Sequence, residues 1–360
     1  MVVTCALIND EVNLALFRWK YYQDSVDRHY FFEADLTHSG IPKPLHLAES
    51  RLFVSVPNVT VVRIPIPSQV QKVASRWAIE EYSRDWAMWF VARRHPDDLV
   101  VLSDIDEIPS INQLAFANAL NPSNRILSLP LVVSHRRVNW KSSEYWGAAK
   151  AFIGRDASPG IRFYPARRAT GVAGAHLRYM GFRQPEIRRK HADFAHEEFD
   201  SVSGTSPEIV EICDAYRLAY PPRLSGTGRI GLLTALKNEE LGPVEEAYSN
   251  FRPDHFDPNG TAHSKLTRLR MAYCVSIALE TPGSLNSKII GQLEGSLILP
   301  LVKPLATWLL HATKIALITR LVSRVINLSV ADFAMGRRIW HIGRGVYRHG
   351  DYRAWLEEGS

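Results

Sequence analysis

The first hundred or so residues alternate short apolar runs with helical patterns, and this alternation limits the fold more than any other feature. Runs rich in β-branched and aromatic residues at 2–8, 28–34, 58–66 and 97–106 predict buried strands. The segment after the first run and the segment 72–94 have apolar residues near helical spacing. Because strands that alternate with helices form parallel sheets, the pattern predicts an α/β fold.

The later part of the chain has a different character. Residues 125–180 contain strand-like runs joined by loops, which predict a mixed or antiparallel extension of the first sheet. A charged helical pattern follows at 185–200, and a stretch rich in Gly, Pro and Ser, 201–265, predicts loops. The pattern is helical again after it. We therefore expect an α/β domain over 1–265 and a helical C-terminal region over 266–360.

The composition is that of a globular protein from a reducing compartment. Of the 360 residues, 46% are hydrophobic and 22% are charged, which is typical of a folded chain. Cys5, Cys213 and Cys274 are too far apart for a disulfide framework or a metal knuckle. The net charge of +6 is too small to indicate nucleic-acid binding. The N-terminal residues show no signal or anchor pattern, so we expect a cytoplasmic protein.

The stretch "VVLSDIDEIPS", residues 100–110, runs from an apolar strand directly into carboxylates. On a continued strand, Asp104 and Asp106 would point to the same side and could hold one hard cation, Mn²⁺ or Mg²⁺. Ligands of open α/β sheets bind beyond the carboxyl ends of strands, where this pair is expected. A solvated turn with a helix cap is the alternative. For Glu107, a position at the start of a helix is favoured over a role in supporting the metal ligands without contacting the metal.

The same stretch, with others in the same order, resembles glycosyltransferase family 17. "LSDIDEIP" is similar to the signature of that family, and "TCALINDEVNLALFRWKYY" resembles its opening strand, turn and helix. "FFEADLTHSGIPKPLHL", "EEYSRDW", "GAHLRYMGF" and "RKHADFAHEEFD" resemble further family segments, and together they cover about residues 1–200. The chain departs from the family at Ala175, where the family has Trp, and at Ser83 and Asp85, which flank Arg84.

The resemblance implies a GT-A-like fold, with a mixed sheet flanked by helices, and a helical appendage after it. It also implies an inverting transfer of a sugar, GlcNAc from UDP-GlcNAc, to a glycan hydroxyl, with a divalent cation and cationic side chains on the leaving diphosphate. A sugar nucleotidyltransferase is one alternative, although "INDEVN" lacks the Gly-rich basic loop expected for a triphosphate. A non-catalytic glycan-binding protein of the same fold is the other.

The resemblance further implies roles for individual polar residues, each of which could instead be an ordinary turn or surface residue. The candidates for holding the nucleotide sugar are Asn9, Glu11, Glu33, Arg84 and Lys190. The candidate metal ligands are Asp104, Asp106 and His196. An inverting transfer needs a base for the acceptor hydroxyl. Its candidates are His176 and Glu198, with His196 and Glu197 as alternatives, because His serves as base or as metal ligand.

The segment 297–328 is apolar, and its charged residues are all basic: Lys303, Lys314, Arg320 and Arg324. No charge-free stretch within it reaches the roughly 18 residues that span a bilayer. A helix that packs on the domain core is slightly favoured. The alternative is docking on an anionic membrane surface beside a lipid-linked acceptor, which would make the protein peripheral on the inner face of the cell membrane.

Overall fold

A computed structural model describes residues 1–73, 77–120, 126–164, 166–169, 172–181, 186–187, 189–190, 213–215, 217–218, 233–259 and 268. These residues all lie in the first of two units of the chain, Met1–Leu279. The predicted C-terminal region, apart from Arg268, and the basic segment 297–328 therefore lie outside the described residues. Within the described part, no helix is long and apolar enough to cross a membrane.

The described strands and helices follow the predicted alternation over the first hundred residues. The strands are β1 (Val2–Ile8), β2 (Arg28–Ala34), β3 (Val59–Ile64), β4 (Leu99–Asp104), β5 (Glu107–Ile108), β6 (Leu127–Ser128), β7 (Leu131–His135), β8 (Trp140–Trp146), β9 (Lys150–Ile153), β10 (Arg167–Arg168), β11 (Gly174–Arg178) and β12 (Thr234–Ala235). The α-helices are α1 (Val12–Tyr22), α2 (His46–Ser50), α3 (Ser68–Gln71), α4 (Trp77–Arg94), α5 (Ile111–Leu120) and α6 (Pro243–Phe251).

The strands form two mixed sheets. The first has seven strands in the order β10-β6-β9-β4-β1-β2-β3, and β4, β1, β2 and β3 are parallel neighbours. Strand β9 is antiparallel to both β4 and β6, which confirms the predicted antiparallel extension. The second sheet has five strands in the order β12-β8-β7-β11-β5. The predicted α/β fold, a mixed sheet flanked by helices, is confirmed.

The central strands are apolar along their whole length because helices and loops cover both faces of the first sheet. On β2, Phe31 and Phe32 are consecutive and point to opposite faces. Phe32 meets Trp86 of α4 edge to face at 6.0 Å, whereas Phe31 stacks on Phe53 at 5.3 Å. Strands buried on both faces read as continuous apolar runs, which explains why the first four strands were predictable.

Besides helix α6, which lies in the stretch 201–265 that was expected to form loops, two details differ from the prediction. The strand expected to continue to residue 106 ends at Asp104, and a turn follows it. The run 161–168 was one of the strands expected within 125–180, but 161–163 is a 3₁₀ turn, and Arg167–Arg168 is the part that pairs with β6. The cause of the second difference is Gly160, whose left-handed conformation (φ 71°) ends the extended chain and whose carbonyl accepts from the Phe163 amide.

The turn after β4 carries the chain from the first sheet into the second. Strand β5 begins at Glu107 and pairs antiparallel with β11, which places His176 opposite Glu107. A Cβ atom on Gly174 would lie 2.2 Å from the Ile108 carbonyl oxygen and 2.6 Å from Cα of Pro109. Because both atoms belong to the backbone, only glycine allows β11 to approach β5 this closely.

We expect Gly174→Ala to destabilise the fold by about 1–3 kcal/mol, since the methyl group overpacks a backbone contact that cannot move aside. Urea unfolding followed by circular dichroism measures the change. Gly147→Ala is the control, because its Cβ would meet the Ser128 side-chain oxygen at 3.2 Å, and that side chain can rotate. Equal losses in the two variants would show that the β5–β11 contact does not need glycine.

Candidate active site

Helix α1 holds the turn after β4 by its backbone. The fully buried Arg18 donates through Nη1 to the carbonyl oxygens of Asp104, at 3.2 Å, and Glu107, at 2.7 Å. One turn later, the Tyr22 hydroxyl donates to the Pro109 carbonyl at 2.5 Å. The path of the backbone from Asp104 to Pro109 is therefore set by side chains of a neighbouring helix.

The Glu107 side chain closes the same turn from the inside. Its buried carboxylate accepts from the Asp104 amide at 3.0 Å, and from Nη1 and Nη2 of Arg162 at 3.0 and 2.6 Å. The indole N–H of Trp146 also donates to it. Helix α5 begins only at Ile111, so the interpretation of Glu107 as a helix start was wrong. Glu107 is a buried anchor for the turn.

Asp104 lies between two guanidinium groups. Its Oδ2 accepts from Nη2 of Arg84, at 3.0 Å, and Nη2 of Arg162, at 2.8 Å. Burial would raise the pKa of the Asp104 carboxyl, but Arg162 and Arg84 lower it below its usual range. Arg84 also forms an ion pair with Glu80, one turn earlier on α4. Asp104 is thus ionised and fully engaged with arginine.

Asp106 has different partners and holds them more loosely. Its Oδ2 lies 3.5 Å from Nζ of Lys190 and 3.5 Å from Nε2 of His176. Burial would raise the pKa of Asp106, but Lys190, His176 and then Arg178 lower it. Because β4 ends at Asp104, the expectation that both carboxylates project from one continued strand was wrong, and their sharing of one cation stays a prediction.

Lys190 connects Asp106 to the carboxyl end of β1. Its Nζ lies 2.8 Å from Oε1 of Glu11, whose other oxygen accepts from the amides of Asn9 and Asp10 at 3.2 Å each. Burial would lower the pKa of Lys190, but Glu11 and Asp106 raise it. The structure therefore brings together Glu11, Lys190 and Asp106, which the sequence placed far apart.

Glu33 lies near this edge of the sheet, but its carboxylate binds backbone amides of α2. Its buried carboxylate accepts from the amides of Leu47, at 3.1 Å, and Ala48, at 3.3 Å, at the start of α2. Lys43 lies 3.5 Å from Glu33 and donates to the Asn9 carbonyl at 2.8 Å. These contacts satisfy the buried carboxylate of Glu33 without a ligand. Its role in nucleotide binding stays a prediction.

His176 faces Asp106 with one ring nitrogen and the protein interior with the other. Its Nδ1 is buried and has no hydrogen-bond partner among the described residues. The Trp146 ring lies 5.4 Å from the His176 ring, tilted by 40°. The imidazole of His176 is therefore held between Asp106 and Trp146. A second histidine, His135, lies on the neighbouring strand β7, where burial and the charge of Arg178 keep its pKa well below its usual range.

Several residues of this site were not predicted. Arg162, Trp146 and Arg178 follow no strand end of the first sheet, and no spacing in the sequence connects them with Asp104. Their places depend on the 3₁₀ turn after Gly160 and on the second sheet. Three predicted residues, His196, Glu197 and Glu198, lie outside the described residues.

The side chains of this site fit a cation whose coordination is completed by the substrate, rather than one that protein ligands alone surround. Among the described residues, no three His, Cys, Asp or Glu side chains lie where they could hold a metal ion. Oδ2 of Asp106 nevertheless lies 3.5 Å from Nε2 of His176, whereas two arginines contact Asp104 more closely. Mg²⁺ is usually held by one or two carboxylates, several waters and substrate phosphates. Asp106 is therefore the described carboxylate suited to such an ion.

The two mixed sheets, with acidic and basic side chains at the carboxyl ends of β1 and β4, are those of a GT-A-like transferase. Residues 1–143 match the model of the family described as Glycosyltransferase family 17. The match covers the N-terminal part of the chain and confirms the resemblance seen in the sequence. It supports a glycosyltransferase activity, for which a nucleotide-sugar donor and a glycan acceptor are expected. No curated protein matches the chain.

We expect Arg162→Met to destabilise the fold by about 3–5 kcal/mol, because it leaves the buried Glu107 carboxylate without its main partner. Guanidinium chloride unfolding measures the loss. Arg155→Met in the same segment is the control, since its ion pair with Asp97 is exposed and contributes at most about 1 kcal/mol. If both variants unfold at the same midpoint, Arg162 does not anchor the turn.

Proposed function

We propose that this chain transfers GlcNAc from UDP-GlcNAc to a glycan hydroxyl with inversion, assisted by Mn²⁺ or Mg²⁺ at Asp106. The observation that carries the proposal is the loose pairing of Asp106. It lies in the turn after the central strand β4, and among the described residues its contacts with Nζ of Lys190 and Nε2 of His176 are each 3.5 Å long. Asp104 and Glu107, by contrast, are tightly bound by arginine. Of the three carboxylates, Asp106 is the one whose partners can rearrange around a ligand.

The nucleotide is proposed to lie at the carboxyl ends of β1 and β4, where open α/β sheets bind ligands. Asn9 and Glu11 follow the end of β1 and would hold uracil and ribose there. Lys190 bridges Glu11 and Asp106, so it lies where a diphosphate would pass between them. Arg84 contributes a second positive charge from α4. Both cations would stabilise the charge that develops on the leaving diphosphate.

A divalent cation, when bound, supplies further positive charge to the diphosphate oxygens. Asp106 would hold it, and His196 is the proposed additional ligand. Asp104 contributes indirectly, because its carboxylate keeps Arg84 and Arg162 in place beside the turn. Asp106, the second aspartate of the pair, is thus the one proposed to contact the ion directly.

The base that deprotonates the acceptor hydroxyl must lie within hydrogen-bond reach of it. His176 presents Nε2 to Asp106 at 3.5 Å and buries Nδ1 in the protein interior. We therefore propose that His176 orients Asp106 and that Glu198 is the base, with Glu197 as the alternative. The support for Glu198 is the resemblance of "FAHEEFD" to the family segment.

We expect UDP-GlcNAc to bind at least about tenfold more tightly with Mn²⁺ than with EDTA, because the ion joins the diphosphate to Asp106. Isothermal titration calorimetry measures both affinities. GDP-mannose is the control for base recognition and should bind more weakly than UDP-GlcNAc. Equal affinity with Mn²⁺ and EDTA would mean that Lys190 and Arg84 hold the diphosphate without a metal.

We expect Asp106→Asn to lower transfer on the order of a thousandfold or more while the protein stays folded, because the ion loses its carboxylate. Release of UDP from UDP-GlcNAc measures the rate, and circular dichroism checks the fold. Asp254→Asn is the control, since Asp254 is exposed and pairs only locally, with Arg252 and His255. Near-normal, metal-dependent turnover of Asp106→Asn would remove this residue from the site.

A further inference from the structure

A large aromatic side chain stands exposed beside the proposed transfer site. Trp146 is the last residue of β8 and is 42% exposed. An exposed indole leaves a large apolar surface in contact with water, and the free energy that burial of this surface would contribute is not gained. Single exposed aromatics are common on protein surfaces, so exposure alone does not indicate a site. The contacts of Trp146 distinguish it from such a residue.

The indole of Trp146 is held in one orientation from two sides. Its N–H donates to the buried carboxylate of Glu107, the neighbour of Asp106 in the turn. Its ring lies 5.4 Å from the ring of His176, which in turn reaches Asp106. An aromatic surface whose orientation is already fixed loses little entropy when a ligand covers it.

We infer that the exposed face of Trp146 stacks against a pyranose ring of the acceptor glycan. The face of an indole carries negative charge density, and the axial C–H bonds of a pyranose form an apolar, weakly positive face that complements it. This inference rests on the proposed function only for the position of the transfer site. The contact would hold the acceptor near Asp106 without using a charged group.

The acceptor fits this position better than the donor does. Glu11 and Lys190, where the nucleotide is proposed to bind, approach Asp106 from the carboxyl end of β1 and the segment after β11. Trp146 approaches from β8, through Glu107 of β5 and His176 of β11, which all belong to the second sheet. The two groups of residues come from different elements, as expected for two substrates that meet at one carboxylate.

The chain contains a matched control for Trp146. Tyr145 precedes it on β8 and is 65% exposed. Successive side chains of a strand point to opposite faces, so Tyr145 is an exposed aromatic residue of the same strand that faces away from Trp146. Removing Tyr145 tests the effect of losing an exposed ring from β8 without touching the proposed sugar contact.

The test is saturation-transfer NMR on the full chain with methyl β-glycosides of GlcNAc, mannose and galactose. We expect saturation of the ring C–H protons of at least one sugar, and about tenfold weaker binding in Trp146→Ala. Trp146→Phe should retain part of the affinity, because it keeps an aromatic face, although a smaller one, and loses the N–H group. Tyr145→Ala should bind as the unmodified protein does. Thermal melting accompanies each variant, and Trp146→Leu replaces Trp146→Ala if the latter does not fold.

Three results would overturn the inference. The first is the absence of saturation transfer to all three sugars in the unmodified protein. The second is equal binding by the unmodified protein and Trp146→Ala. The third is an equal loss in Trp146→Phe and Trp146→Ala, which would assign Trp146 to holding Glu107 only. Calorimetry with UDP-GlcNAc separates this failure from that of the proposed function. Sugar binding that needs Trp146, in a protein that does not bind the donor, would keep the stacking contact and reject the donor.

Discussion

The buried ion pair between Arg162 and Glu107 is the interaction on which the site depends. It joins a 3₁₀ turn, a loop at the end of the first sheet and, through Trp146, the second sheet. A carboxylate in such a place is tolerated only when its oxygens are filled by donors. Arg162 fills both oxygens and extends one further hydrogen bond to Asp104. The geometry of the acidic turn thus follows from one arginine that no strand pattern indicates.

Charge balance explains why so many basic residues are buried around this turn. Three carboxylates within four consecutive residues repel each other, and the low polarity of the interior strengthens the repulsion. Arg84 and Arg162 stabilise the ionised form of Asp104, while Lys190 with His176 does so for Asp106. Arg18 instead donates hydrogen bonds to the backbone carbonyl oxygens of Asp104 and Glu107. Each of the three carboxylates of the turn is therefore paired with a basic side chain.

The sequence predicted the parts of the fold that depend on local pattern and missed those that depend on pairing at a distance. Strands β1 to β4 are short runs rich in β-branched, aromatic and other apolar residues, so their positions could be predicted. Where β4 ends could not, because the turn after Asp104 is held by Arg18 from another helix. The approach of Glu11, Lys190 and Asp106 was predicted only through resemblance. Arg162 and Trp146 could not be predicted, because neither has a fixed spacing to the residues it contacts.

The end of β4 at Asp104 also changes how the two aspartates should be understood. On a continued strand they would be equivalent, and either could serve the substrate. The turn at residues 105–106 makes them unequal, since it directs Asp104 toward two arginines and Asp106 toward a lysine and an imidazole at longer range. An aspartate bound tightly to arginine has little freedom to serve a ligand, whereas one with long contacts can exchange them. The same motif thus combines a structural anchor with a reactive position, and the anchor keeps the reactive position in place.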